Sequence, residues 1–72
     1  STMISFTMNN NFKVLLEIYD IKGRKIETLI NSDLRAGQHN IAWNGAQYSS
    51  GIYFVNLKTA NFARKQKITL LK

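Results

Sequence analysis

Apolar side chains in this chain recur at alternate positions in segment after segment, and no window repeats at the three-to-four spacing of an amphipathic helix of useful length. A two-residue period sends successive side chains to opposite faces of an extended backbone, so each segment offers one face to a core and one to solvent. Met3 to Met8 sets Ile4, Phe6 and Met8 on one side. Lys13 to Asp20 turns Val14, Leu16 and Ile18 inward and Lys13, Leu15, Glu17 and Tyr19 outward. Lys25 to Ile30 reads as a third strand, in which Ile26, Leu29 and Ile30 break strict alternation and predict a bulge or an early end. His39 to Asn44 groups His39, Ile41 and Trp43. Gly51 opens a strand from Ile52 to Lys58 that groups Tyr53, Val55 and Leu57, and Phe62 to Leu71 points Ile68 and Leu70 inward.

The segments between carry turn chemistry. Asn9, Asn10 and Asn11 form a polar turn, and Asp20-Ile21-Lys22-Gly23 suits a tight reversal in which Asp bonds back to the backbone and Gly takes a positive φ. Asn31 to Gln38 is polar and contains a further turn at Arg35-Ala36-Gly37-Gln38. Asn44 to Gly51 is too long for a two-residue hairpin despite its Asn-Gly, and is expected to be an exposed loop. Thr59-Ala60-Asn61 turns the chain into its last strand. Strands spaced at roughly 8 to 12 residues point to a sandwich or barrel, and two small antiparallel sheets fit best. The predicted core is Phe6, Leu16, Ile18, Ile41, Trp43, Tyr53, Val55, Leu57, Ile68 and Leu70.

At 72 residues there is room for one small domain, which buries only about 60 per cent of its unfolded surface. With 44% hydrophobic residues in a regular pattern it is expected to fold alone. There is no cysteine, so neither a disulfide framework nor a thiolate metal site is available. No apolar run approaches the roughly 18 residues that span a bilayer, and the first residues lack the charged-then-apolar order of a signal peptide. A strand beginning by Met3 or Ile4 suggests a module cut from a longer parent chain, with any export signal elsewhere in that parent.

The chemistry available is narrow. Of four carboxylates, Asp20 belongs to a turn and Glu17 and Glu27 take outward strand positions, so a catalytic pair is not expected. The single His39, beside Ile41 and Trp43, reads as a packed, hydrogen-bonded residue, and Ser49-Ser50-Gly51 lacks the strand-to-helix context of a nucleophile elbow. The reading is therefore a non-enzyme with no cofactor and no metal. The net charge of +6 invites a nucleic-acid partner, but the cations gather at Lys22, Arg24 and Lys25 around one turn and at Arg64, Lys65, Lys67 and Lys72 in the last segment. Such placement serves solubility and guards an edge strand. Ser50 to Leu57 echoes the aromatic strand of an RNA-recognition module, yet that module needs two helices. An oligonucleotide-binding barrel using Tyr19, Tyr48 and Phe54 stays as a minor alternative, and no nucleic acid is expected.

The order ISFT, KVLLEIYDIKGRKIETLI, LRAGQHNIAWNG, SSGIYFVNLKT, RKQKITLLK resembles, over the whole chain, the type A C-terminal sorting domain of type IX secretion cargo, the Por secretion tail. The Ig-like domain of flagellar hook-capping proteins is closely similar. Tyr19-Asp20 with Gly23-Arg24 corresponds to the family's first hairpin, and Ala36-Gly37 and His39 precede its Trp43-Asn44-Gly45 signature. Gly51-Ile52-Tyr53 opens the penultimate strand, and Lys67 to Lys72 matches the closing segment. The family's Asn-Pro element before the first strand has no counterpart, since the chain lacks proline.

The resemblance implies a small Ig-like antiparallel β-sandwich of six to seven strands, residues 1–72, excised from the end of a longer secreted protein of the Bacteroidetes or relatives. Its implied role is non-catalytic: it directs an attached N-terminal cargo domain from the periplasm across the outer membrane to the cell surface or beyond. Its implied partners are the outer-membrane translocon and a sortase-like protease. The sorting-signal candidates are Gly51, Ile52, Tyr53, Lys65, Lys67, Ile68, Leu70, Leu71 and Lys72. A last strand with an open edge and a row of cations suits such recognition, and leaves self-association through that edge open. The rival reading is a structural or adhesive Ig-like module of a surface or hook-cap protein.

Overall fold

The computed structural model describes residues 2–71, which form six strands and no helix. They are β1 (Thr2–Met8), β2 (Phe12–Tyr19), β3 (Lys25–Leu34), β4 (Gly37–Trp43), β5 (Gly51–Lys58) and β6 (Ala63–Leu70). All pairings are antiparallel. β1 and β4 make a two-stranded sheet, and β3-β2-β5-β6 make a four-stranded one, an arrangement compatible with a small β-sandwich. The shortest dimension, 17 Å, holds two layers and no more.

The alternating pattern builds the core directly. Val14, Leu16 and Ile18 of β2 and Tyr53, Val55 and Leu57 of β5 face Ile4 and Met8 of β1 and Trp43 of β4, all buried, with Ile30 and Leu70 completing the cluster. Of the ten predicted core residues, Phe6, Ile41 and Ile68 are only half-buried and pack against this cluster. Burying a large apolar side chain contributes about 1.5 to 3 kcal/mol, so these central positions dominate the stability of so short a chain.

Turn chemistry sets the β2–β3 hairpin. The amide of Gly23 donates to the Asp20 carbonyl at 3.0 Å, and that of Asp20 donates to the Arg24 carbonyl at 2.9 Å. Gly23 sits at φ +86, a conformation that L side chains resist. Asp20 Oδ1 accepts the amides of Lys22 and Arg24, both at 2.9 Å.

Several expectations change. β3 does not end at Ile30: Asn31 to Leu34 continue the strand, paired with Phe12 to Leu15. The broken alternation has the bulge expected of it, because Leu16 pairs with Ile30 and Glu17 with Thr28, leaving Leu29 extra, and Ile26 is skipped in the same way between Ile18 and Tyr19. β4 begins two residues early, at Gly37. β6 stops at Leu70, leaving Leu71 exposed. The loop after Trp43 is not wholly exposed, since Gly45 is buried and Tyr48 half-buried. Nor is the Tyr48 ring free: it packs 5.8 Å from Trp43 and 6.3 Å from Tyr53, and its hydroxyl donates to the Ile26 carbonyl at 3.1 Å. His39 is packed as expected, stacked on Phe6 at 5.4 Å with Nε2 2.8 Å from the Arg35 carbonyl.

Candidate functional site

β6 is an edge strand. It pairs with β5 alone, from Gly51↔Leu70 to Lys58↔Ala63, which leaves one row of its backbone groups unclaimed by the sheet. The register fixes the two faces of the strand. Ile68, Gln66 and Arg64 lie opposite the buried Tyr53, Val55 and Leu57, whereas Lys67 and Lys65 lie opposite Phe54 and Asn56 on the outer face. Lys65 and Lys67 are exposed, and neither forms an ion pair among the described residues. The predicted lysine row is thus real for these two, while Lys72 lies outside the described residues.

The strand is anchored at its far end. Leu70 is 2% exposed and rests on Gly45: a Cβ at Gly45 would stand 2.6 Å from Leu70 Cδ2. Since the φ of Gly45 is not positive, the constraint at this position is one of space: any side chain must displace the tip of Leu70. Trp43, two residues earlier, is fully buried, lies 5.2 Å edge-on from Tyr53, and donates its indole N–H to Glu27 at 3.2 Å. The Trp-Asn-Gly triplet and the closing strand are parts of one packing unit. Gly51, Ile52 and Tyr53 belong to it through β5: Gly51 pairs with Leu70, Ile52 is exposed, and the Tyr53 hydroxyl donates to the Ser49 carbonyl at 2.6 Å.

On the outer face sits a carboxylate that alternation alone misjudges. Glu17 occupies the expected outward position but is only 4% exposed. Its Oε1 accepts the Tyr19 hydroxyl at 2.9 Å, and it pairs with Lys25 at 3.3 Å and Lys58 at 3.7 Å. Burial pushes this carboxyl up, but the Tyr19 hydroxyl and the two ammonium groups outweigh it and hold Glu17 below the usual carboxylate range. The group ties β2 to β3 through Lys25 and to β5 through Lys58. Asp20 is held low chiefly by the Arg24 amide; burial, the next strongest influence, pushes it up, and the Arg24 side chain and the Lys22 amide bring it down again.

Beside this network an open groove of about 370 Å³ runs between the hairpin and β6, lined among others by Tyr19, Phe54, Asn56 and Lys65. No group of three or more acidic, histidine or cysteine side chains able to hold a metal occurs among the described residues. β6 is thus a seated strand with an open edge that presents two cations and one row of backbone donors and acceptors.

A family model described as the secretion system C-terminal sorting domain matches residues 1–71. The chain belongs to this family. Members serve as C-terminal signals for type IX secretion, non-catalytic modules that mark a protein for export across the envelope and interact with the secretion system. No curated protein and no solved structure matches the chain. The sorting domain's matched region takes in β6 and the Trp43-Asn44-Gly45 support beneath it.

Proposed function

We propose that residues 1–72 are a type A sorting domain at the end of a larger cargo protein, and that this domain carries its cargo from the periplasm through the type IX translocon to the cell surface or medium. The observation that carries the reading is the seating of β6: an edge strand whose Leu70 is locked on Gly45 while Lys65 and Lys67 stay unpaired and exposed. Strand edges are ready-made binding templates, because a second chain can complete the hydrogen-bond ladder. Cations beside such an edge speed encounter with an acidic partner and fix its register. Ile68, Leu70 and Tyr53 hold the strand in place, Gly51 and Ile52 position its neighbour, and Lys65, Lys67, Leu71 and Lys72 meet the translocon and the sortase-like protease.

The test is a reporter with an export signal, fused ahead of this chain in a bacterium with a type IX system, beside a copy ending at Asn61. External reporter only from the complete fusion supports the proposal. Equal release from both fusions, or periplasmic retention of a folded complete fusion, refutes it and favours a structural or adhesive module.

A further inference from the structure

The two sheets do not cover each other evenly, for two strands face four. At one end β1 is tied to β6, where the Thr2 hydroxyl donates to the Thr69 carbonyl at 3.4 Å. Beyond that tie lies a slot of about 90 Å³ lined by Ile4, Ser5 and Phe6 of β1, by Leu16, Val55 and Leu57, and by Arg64 and Gln66 of β6. Arg64 and Gln66 place the slot against the same stretch of β6 whose outer edge is unpaired. Lys65 and Lys67 stand on the other face of the same stretch of strand.

We propose that the Ala63–Lys67 stretch of the β6 edge takes an added strand from a protein partner with alternating apolar and acidic residues. The geometry dictates the alternation, because a strand laid beside β6 must follow its pleat. Side chains level with Arg64 and Gln66 turn toward the slot, and those level with Lys65 and Lys67 turn outward. Ile4, Phe6, Leu16, Val55 and Leu57 make the slot mainly apolar, and its size suits one small aliphatic side chain, since an apolar cavity of about 150 Å³ accepts benzene. The outward side chains meet two unpaired ammonium groups and so favour carboxylates. A second copy of this chain is the wrong occupant. Antiparallel pairing of β6 on β6 about this stretch sets Lys65 against itself, Arg64 against Lys67 or Lys65 against Lys67, depending on register, and like charges directly opposite destabilise a ladder. The Thr2–Thr69 tie limits the added strand to the first part of β6. That the partner belongs to the secretion apparatus rests on the sorting reading; the strand site does not.

Fluorescence anisotropy with labelled octapeptides tests the site. The probes are alternating valine–glutamate, alternating valine–lysine, and all-glutamate, each titrated with the 72-residue chain, with Lys65→Glu/Lys67→Glu and with Gln66→Phe, whose ring covers the slot. Circular dichroism and a urea midpoint establish that each variant is folded. The valine–glutamate peptide is expected to bind at least about tenfold more tightly than either control, and to lose about tenfold with each variant. Equal binding of all-glutamate removes the slot from recognition, and equal binding of valine–lysine removes the charges; either overturns the proposal, as does no binding of valine–glutamate to the folded chain. If Gln66→Phe does not fold, the three peptides against the unaltered chain decide. Peptide binding without reporter export would sink the sorting reading and leave the strand site, whereas export without peptide binding would do the reverse.

Discussion

Substituting Gly45 by alanine tests the seating of the closing strand on the Trp43-Asn44-Gly45 turn. Two effects of opposite sign compete. Because the φ of Gly45 is not positive, alanine fits the backbone there, and stiffening the unfolded chain stabilises such sites by about 0.4 to 1 kcal/mol. Against that, the new Cβ meets Leu70 Cδ2 at 2.6 Å, Cδ1 at 2.9 Å and Cγ at 3.3 Å, where ordinary contact begins at 3.4 Å. A leucine tip usually moves aside, but Leu70 is 2% exposed and enclosed by the core, so the end of β6 must shift with it. Overpacking of this kind costs about 1 to 3 kcal/mol, so the steric effect outweighs the gain and the net loss lies between about 0 and 2.6 kcal/mol, centred on about 1.3. A 72-residue domain holds about 4 to 11 kcal/mol in all, so the variant stays folded and measurable. Urea unfolding followed by circular dichroism gives the loss. The companion variant Leu70→Val removes the clashing methyls, and the double variant should lose at least about 0.5 kcal/mol less than the sum of the two singles. Additive losses, or a Gly45→Ala variant more stable than the original, would refute the packing argument.

Trp43→Ala should cost about 3 to 5 kcal/mol, since it empties a fully buried site and strips partners from Tyr48 and Tyr53; a well-folded variant with an unchanged urea midpoint would overturn the core assignment. Gly23→Ala meets no atom within 4 Å, so its expected loss of about 1 to 2 kcal/mol comes from the backbone at φ +86 alone, and Gly23→Asn should lose less by the same melt. Glu17 and Asp20 are both held below their ordinary values of 4.5 and 3.8, so their stabilisation is present above those values and lost as pH falls through the lower folded ones. Urea midpoints should therefore be flat from pH 7 to 5 and fall below about pH 4.5, with a shallower fall in Glu17→Gln.

Most of the fold was legible because burial follows a period of two: Val14, Leu16, Ile18, Tyr53, Val55 and Leu57 need only that rule to be placed. The errors arose where a residue's surroundings depend on strand partners. Asn31 to Leu34 carry too little apolar character to mark a strand, and only pairing with β2 makes them one. Glu17 looks solvent-facing until the register brings Lys25 and Lys58 to either side of it. Tyr48 sits in a polar loop and gives no periodic signal, yet the turn between the Tyr48 amide and the Gly45 carbonyl folds it back over Trp43. The edge lysines were visible at the sequence level, but the slot between β1 and β6 was not, for its lining comes from four strands of two sheets.

The most direct measurement is the location of a periplasmic reporter fused to this chain, compared between a type IX host and the same host with its translocon disabled. The account predicts external reporter in the first host and periplasmic reporter in the second, with the fused domain folded in both. Periplasmic reporter in both, or external reporter in both, would contradict it.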